Sequence, residues 1–172
     1  MFAPRLTLVL GGMRSGKSRH AESLITASAS PPWIYIATAQ ALDAEMTERI
    51  AHHRARRGAE WRTVEAPHDL AGAIGNAPPD AAVLVDCLTL WLTNCMLAEV
   101  DIEADTAALE KALAQRRGPT VMVSNEVGSG VVPDNALARR FADLQGRLNQ
   151  RIAGRADRVV LVVAGLPLTV KG

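Results

Sequence analysis

Eight consecutive residues, Gly11-Gly12-Met13-Arg14-Ser15-Gly16-Lys17-Ser18, carry the spacing G-x-x-x-x-G-K-[ST]. Glycines at these points let the backbone curl until successive N–H groups aim at phosphate oxygens. A helix starting at the same place adds its positive end. Lys17 is then placed to reach the β- and γ-phosphates of a nucleoside triphosphate, and Ser18 to set its hydroxyl on Mg²⁺. Arg14 reads equally well as a phosphate contact or as a solvated cation. The motif has meaning only between a strand and a helix. That context is present: Leu6 to Leu10 is an apolar run, and Lys17 to about Ala27 is a helix pattern. A second piece of metal chemistry is Asp86, which closes the run Ala81-Ala82-Val83-Leu84-Val85. Ligands of open α/β sheets bind beyond the carboxyl ends of strands. A carboxylate there can hold Mg²⁺ directly or through water; the alternative is a cap for the following helix.

The stretch from Ala41 to Arg57 offers a nucleophile. At ~100° per residue, Leu42, Met46 and Ile50 form one stripe, His53 falls within it, and His52 points to one side. Arg49, Arg56 and Arg57 flank the stripe. One reading is a core histidine with satisfied hydrogen bonds at the end of a cationic helix. The other is an imidazole that attacks the α-phosphorus of a nucleotide. Arginines would then clamp the phosphates and absorb developing charge, and would keep the ring neutral by lowering its pKa.

These residues need a scaffold, and the chain alternates strand and helix patterns. Trp33 to Thr38 reads as the second strand, Ala41 to Arg57 as a helix, and Arg62 to Glu65 as a short strand. A helix capped by Asp69 runs through Ile74. Ala82 to Asp86 is a buried strand, Leu88 to Leu97 and Glu103 to Arg116 are helices, and Thr120 to Ser124 is a strand. Leu137, Phe141, Leu144, Leu148 and Ile152 recur at helical spacing, and Arg158 to Val163 reads as a last strand. The implied fold is α/β, one P-loop domain over residues 1–172 with a mainly parallel sheet flanked by helices.

Composition narrows the function classes. The 172 residues are 48% hydrophobic but only 3% aromatic, so the core rests on Ala, Val, Leu and Ile. Nineteen basic and 18 acidic side chains nearly cancel, which gives no electrostatic reason to expect a nucleic-acid partner. Cys87 and Cys95 read as reduced packing residues, neither a disulfide framework nor a zinc site. No segment is long and apolar enough for a membrane span or a signal peptide, so a cytoplasmic enzyme is expected. Trp33, Trp61 and Trp91 read as packing, and His20 and His68 lack a metal-ligand constellation.

Taken together, the chain resembles the bifunctional adenosylcobinamide kinase/adenosylcobinamide-phosphate guanylyltransferase family of cobalamin biosynthesis. The matching segments are GGMRSGKSRHAE at 11–22, YIATAQALDAEMTERIAHHRARR at 35–57, WRTVEAP at 61–67, VDCLTLWLTN at 85–94, VSNEVGSGVVPDNALARRFADLQGRLNQRIA at 123–153 and VVAGLPLTVKG at 162–172. The resemblance implies a RecA-like P-loop fold, ATP and GTP as substrates with Mg²⁺, and adenosylcobinamide and its phosphate as partners. It implies phosphorylation of the cobinamide hydroxyl, then transfer of GMP through a guanylyl-histidine to give adenosylcobinamide-GDP. That histidine aligns with His53, in Arg49-Ile50-Ala51-His52-His53-Arg54, with the adjacent His52 as the fallback. Nucleotide contacts would be Gly11, Gly12, Met13, Arg14, Ser15, Gly16, Lys17 and Ser18, then Thr38, Ala39, Gln40, Arg54, Ala55, Arg56, Arg57, Glu65 and Asp86, with Ser18 and Asp86 on the metal. Met13 is bulkier than the residue usual at its place. A homo-oligomer, a trimer, is also implied. In Asn125-Glu126-Val127-Gly128-Ser129-Gly130-Val131-Val132-Pro133, Asn125 and Glu126 could orient a hydroxyl or a metal-bound water; the loop could equally be a plain connection. The rival functions are a single-activity P-loop small-molecule kinase with no histidine adduct, and a nucleotide-sensing module without turnover.

Overall fold

Short apolar runs rich in Val, Ile and Leu become strands because only a pleated backbone buries both of their faces. The strands are β1 (Leu6–Gly11), β2 (Trp33–Ala37), β3 (Trp61–Glu65), β4 (Val83–Asp86), β5 (Thr120–Asn125), β6 (Arg158–Val163) and β7 (Leu166–Lys171), with β3 and β7 the more exposed ones. The helices are α1 (Lys17–Ser28), α2 (Ala44–Ala55), α3 (Leu70–Asn76), α4 (Leu88–Leu97), α5 (Ile102–Ala114) and α6 (Ala136–Arg155). The computed structural model describes residues 4–41, 43–55 and 57–172, without the side chains of Arg49, His52 and His53.

The strands form one sheet in the order β3-β2-β4-β5-β1-β6-β7. All neighbours are parallel except β6 and β7. The expectation that Arg158 to Val163 would be the last strand is corrected here. The chain turns back at Ala164 and Gly165, both at positive φ, and adds β7 as an antiparallel edge. Every residue of β7 is exposed and Pro167 lies inside it, so the burial-based signal of the other strands is missing.

Two cores sandwich the sheet. On one face Leu8, Ile36, Val85 and Met122 meet Leu70 and Ile74 of α3, Leu92 of α4, Leu109 of α5, and Leu148 and Ile152 of α6. On the other, Val9, Leu84, Val121 and Val160 meet Ala21 and Ile25 of α1. Helix starts follow capping residues. Asp69 accepts a hydrogen bond from Gly72 N (2.8 Å), Asp101 from Glu103 N (3.0 Å), and Asn135 from Ala138 N (2.7 Å), satisfying amides that a helix leaves open. Leu148 and Ile152 of the α6 stripe are buried, whereas Leu137, at the helix start, stays 65% exposed. Both cysteines are free and buried, and Trp33 and Trp91 are buried in the two cores, as the packing reading requires. No described helix is long and apolar enough to cross a membrane.

α2 differs from its neighbours. None of its described residues is buried, and no other element packs extensively along it. Its start is fixed locally: Met46 N donates to Asp43 Oδ1 (2.7 Å), and Thr47 Oγ1 donates to the Asp43 carbonyl (2.8 Å).

Away from the sheet, α5 and α6 are joined by Glu110. It accepts from Arg151 Nη2 (2.7 Å) and Nε (3.1 Å) and from Arg155 Nη2 (3.3 Å). The Arg151 hydrogen bonds, aided by Arg155, hold its carboxyl down to about 2 from an ordinary 4.5. A depressed folded-state pKa gives stability that is complete above the unfolded value and lost as pH falls through the folded one. Glu110→Gln should therefore cost about 1–2 kcal/mol near neutral pH. The difference from the parent should shrink steadily between pH 4.5 and about 2, as urea denaturation across that range will measure.

Candidate active site

The phosphate loop forms where β1 ends. Ser15 N donates to the Gly12 carbonyl (3.3 Å), and the chain enters α1 through Gly16 at φ 93°, with His20 N donating to Gly16 O (3.0 Å). A left-handed residue at this point is nearly free for glycine alone. Gly11 has no room for a side chain: a Cβ there would lie 2.4 Å from Ser15 Oγ and 2.7 Å from the Val162 carbonyl. Two flanking strands pin the loop. Glu126 N donates to the Gly11 carbonyl (3.1 Å), and Gly165 N, in the β6–β7 turn, donates to the Ser15 carbonyl (2.8 Å). Lys17 is 7% exposed and folds its Nζ back to the Gly12 carbonyl at 3.1 Å. Arg14 is exposed at φ 55°, and Met13 is 76% exposed at the rim.

In front of this loop lies a cavity of about 500 Å³. Of the residues expected from sequence, Met13, Lys17, Ser18, Ala39, Gln40, Arg54, Arg57, Glu65 and Asp86 line it, whereas Gly11, Gly12, Arg14, Ser15 and Gly16 of the loop do not. Met46 and Ile50 line it too, so the predicted apolar stripe of α2 faces this space rather than a core. Arg54 forms an ion pair with Glu65, tying α2 to the end of β3. Leu42 and Arg56, and the side chains of Arg49, His52 and His53, lie outside the described residues.

Among the described residues, Thr38 and Ala55 are the expected contacts outside the phosphate loop that do not line the cavity. Thr38 is fully buried; its Oγ1 donates to the Cys87 carbonyl (2.7 Å) and accepts from Cys87 N (2.8 Å). Asn94 Nδ2 donates to the carbonyls of Thr38 and Pro67, each at 2.9 Å. The Thr38 hydroxyl thus locks the ends of β2 and β4 together and is absent from the cavity wall. Ala55 is exposed and also does not line the cavity.

Asp86 stands at the carboxyl end of β4, where the sequence placed it. Ser18 and Asp86 share the cavity, a hydroxyl and a carboxylate of the hard oxygen type that suits Mg²⁺. No cluster of three or more His, Cys, Asp or Glu occurs among the described residues.

Sequence reasoning passed over Tyr35, the chain's single tyrosine. Its hydroxyl donates to Asp86 Oδ2 at 3.1 Å. Burial, with the Asp86 carboxylate beside it, pushes that hydroxyl well above the phenol range, so it remains a donor. The Arg57 guanidinium lies 3.4 Å over the ring, and Trp61 meets the ring edge-on at 6.2 Å. Asn125 also lines the cavity; its backbone is pinned by Thr89 Oγ1 (2.8 Å) and Asn149 Nδ2 (3.0 Å). Its Oδ1 is buried without a protein partner. Glu126 instead closes its own turn, accepting from Gly128 N at 2.6 Å. Burial and the Asp86 charge push the Cys87 thiol up to about 11, so it is a protonated wall residue and not a nucleophile.

Comparison with known proteins adds the following. Residues 7–170 match the family described as cobinamide kinase / cobinamide phosphate guanyltransferase. The bifunctional adenosylcobalamin biosynthesis protein CobP of Pseudomonas aeruginosa is 51% identical over 168 residues, covering 96% of each chain. CobU proteins with the same description, from Salmonella typhimurium and Escherichia coli, are 47% and 42% identical over 96% of this chain and 99% of theirs. Among solved structures, the flagellar accessory protein FlaH of Methanocaldococcus jannaschii aligns over 97% of this chain and 78% of its own, at 12% identity and TM-score 0.54. An ATPase of a bacterial type III secretion system aligns over 96% and 56%, at 12% identity and TM-score 0.57. These two likenesses concern the fold, that of a RecA-like P-loop domain.

The crowding at Gly11 sets a test. Gly11→Ala must displace either Ser15 or the β6 backbone. It should cost about 1–3 kcal/mol of stability and weaken GTP binding at least about tenfold, ~1.4 kcal/mol. Thermal unfolding and calorimetric titration with GTP will read the two effects.

Proposed function

Since this chain belongs to the cobinamide kinase / cobinamide phosphate guanyltransferase family, we propose that it carries out both reactions on adenosylcobinamide. In the first, a nucleoside triphosphate phosphorylates the cobinamide hydroxyl. In the second, GMP passes from GTP through a histidine to the cobinamide phosphate, giving adenosylcobinamide-GDP. The observation that carries the reading is the shared cavity: the phosphate loop, Asp86 and one face of α2 open on the same space.

The phosphoryl step is a matter of placement and charge. Loop amides hold the triphosphate, Lys17 draws charge from the γ-phosphoryl group, and Ser18 with Asp86 would hold Mg²⁺. Bound there, Mg²⁺ would neutralise charge on the β- and γ-oxygens. The hydroxyl oxygen bonds to the γ-phosphorus as the bond to the β–γ bridging oxygen breaks, and its proton passes to solvent or to a nearby base.

His53 is the nucleophile of the second reaction. Helical register supports it: Met46, Ile50 and Arg54 of α2 line the cavity, and position 53, three residues after 50 and seven after 46, belongs to the same stripe. A ring nitrogen bonds to the α-phosphorus while the α–β bridge breaks and pyrophosphate leaves. A phosphate oxygen of the cobinamide phosphate then attacks the same phosphorus, the N–P bond breaks, and the imidazole is restored. Arg54 and Arg57, with Arg56, absorb the charge of the leaving pyrophosphate. Thr38 through Gln40 and Glu65 shape the nucleotide end of the site, and assembly into homotrimers belongs to the same reading.

GTP labelled at the α-phosphate should leave an acid-labile GMP on the protein, absent from His53→Ala. If the unmodified protein binds GTP yet takes no label, the chain is a kinase alone. Lys17→Ala should lower the kinase kcat by about 10²–10³, measured as phosphate transfer to cobinamide.

A further inference from the structure

Tyr35 sits where two parts of the site meet, and neither its hydroxyl nor its ring is used by the chemistry above. We propose that Tyr35 is a positioning residue with two hands: its hydroxyl orients Asp86, and its ring seats Arg57, anchoring the end of α2. The proposal rests on the reading of α2 and Asp86 as parts of one active site.

The geometry is specific at each contact. Tyr35 is 4% exposed. Its strand β2 lies beside β4, with Ala37 paired in register to Asp86. Tyr35 is therefore two residues back along β2, and its side chain reaches forward to give Asp86 Oδ2 a hydrogen bond of 3.1 Å. Such a bond to a carboxylate fixes which oxygen is turned away. On the ring side, the Arg57 guanidinium stacks at 3.4 Å, well inside the range for a cation over an aromatic face. The Arg57 side chain is 5% exposed, and Glu22 of α1 lies 4.0 Å from its Nη1. That nitrogen is buried and has no hydrogen bond. The ring face and the Glu22 carboxylate, rather than a hydrogen bond at Nη1, thus seat this end of the guanidinium. Arg57 stands just beyond α2, a helix without a buried described residue. Besides the Arg54–Glu65 pair, which is over half exposed on both sides, this stacking is the main described contact holding the helix end to the sheet.

Two variants separate the hands. Tyr35→Phe removes the hydroxyl and keeps the ring. Its Mn²⁺ dissociation constant, read by electron paramagnetic resonance with a non-hydrolysable GTP analogue, should rise several-fold. Amide hydrogen exchange across α2 should stay as in the parent. Tyr35→Leu removes both contacts. In the nucleotide-free protein, α2 amides near Arg54 and Ala55 should exchange at least tenfold faster, while α1 and α6 keep parental protection and so report an intact fold. Arg57→Met should reproduce the faster α2 exchange. The guanylylation rate of Tyr35→Leu should fall further than its kinase rate, a split that general destabilisation would not produce. Parental Mn²⁺ affinity in Tyr35→Phe, or parental α2 exchange in Tyr35→Leu, would overturn the proposal. The exchange measurement needs no GTP, so its result stands apart from whether the parent protein forms a GMP adduct.

Discussion

The turn after β1 is wedged between two neighbours, and the site takes its shape from that wedge. At Gly11 the space for a Cβ is already filled by Ser15 Oγ and the Val162 carbonyl. At Gly16 the β6–β7 turn comes within 3.3 Å of where a Cβ would sit. The loop is held from one side by Glu126 N and from the other by Gly165 N. The carbonyls of Gly11, Gly12, Ser15 and Gly16 all accept hydrogen bonds from within the protein. Lys17, buried and bonded to the Gly12 carbonyl, is thereby fixed at the start of α1. The phosphate site is preorganised by the sheet and does not depend on its own short loop for rigidity.

Much of this was legible in sequence because local signals agreed with tertiary placement. The apolar runs ending at Gly11 and Asp86 could bury themselves only in a sheet interior, and both ends reach the same edge of it. Asp69 and Asp101 marked helix starts through their own hydrogen bonds. What stayed hidden was set by distant partners. The β7 strand alternates Leu166, Leu168 and Val170 with Pro167, Thr169 and Lys171, but it is short, contains Pro167 and buries neither face, so it does not read like the buried strands. Tyr35 looks like another strand residue until Asp86, 51 positions later, is folded against it. Thr38 was expected at the nucleotide because of its family position, yet its hydroxyl is committed to Cys87. The α2 stripe was visible as periodicity, but periodicity does not say whether a core or a cavity lies opposite.

α2 shows how a helix can be kept available for chemistry. Twelve residues are too few for a stable helix in water without tertiary support. Its support is concentrated at the ends, in the Asp43 cap, the Arg54–Glu65 pair and the stacked Arg57. The middle presents Met46 and Ile50 to the cavity. A side chain carried on that face opens on the cavity without a core having to be opened. The elements bearing the phosphate loop and Asp86 have, by contrast, buried neighbours on both sheet faces.

Strand order also carries a consequence for biosynthesis. β1 pairs only with β5 and β6, whose residues begin at Thr120 and Arg158. The phosphate loop is therefore made well before the segments that secure it, since one of its braces comes from Gly165. On a nascent chain the glycine-rich segment has no neighbours to hold it open, and such long-range pairing forms late. A chain that stops before β6 and the turn after it would lack that brace, and the loop would be held from one side only.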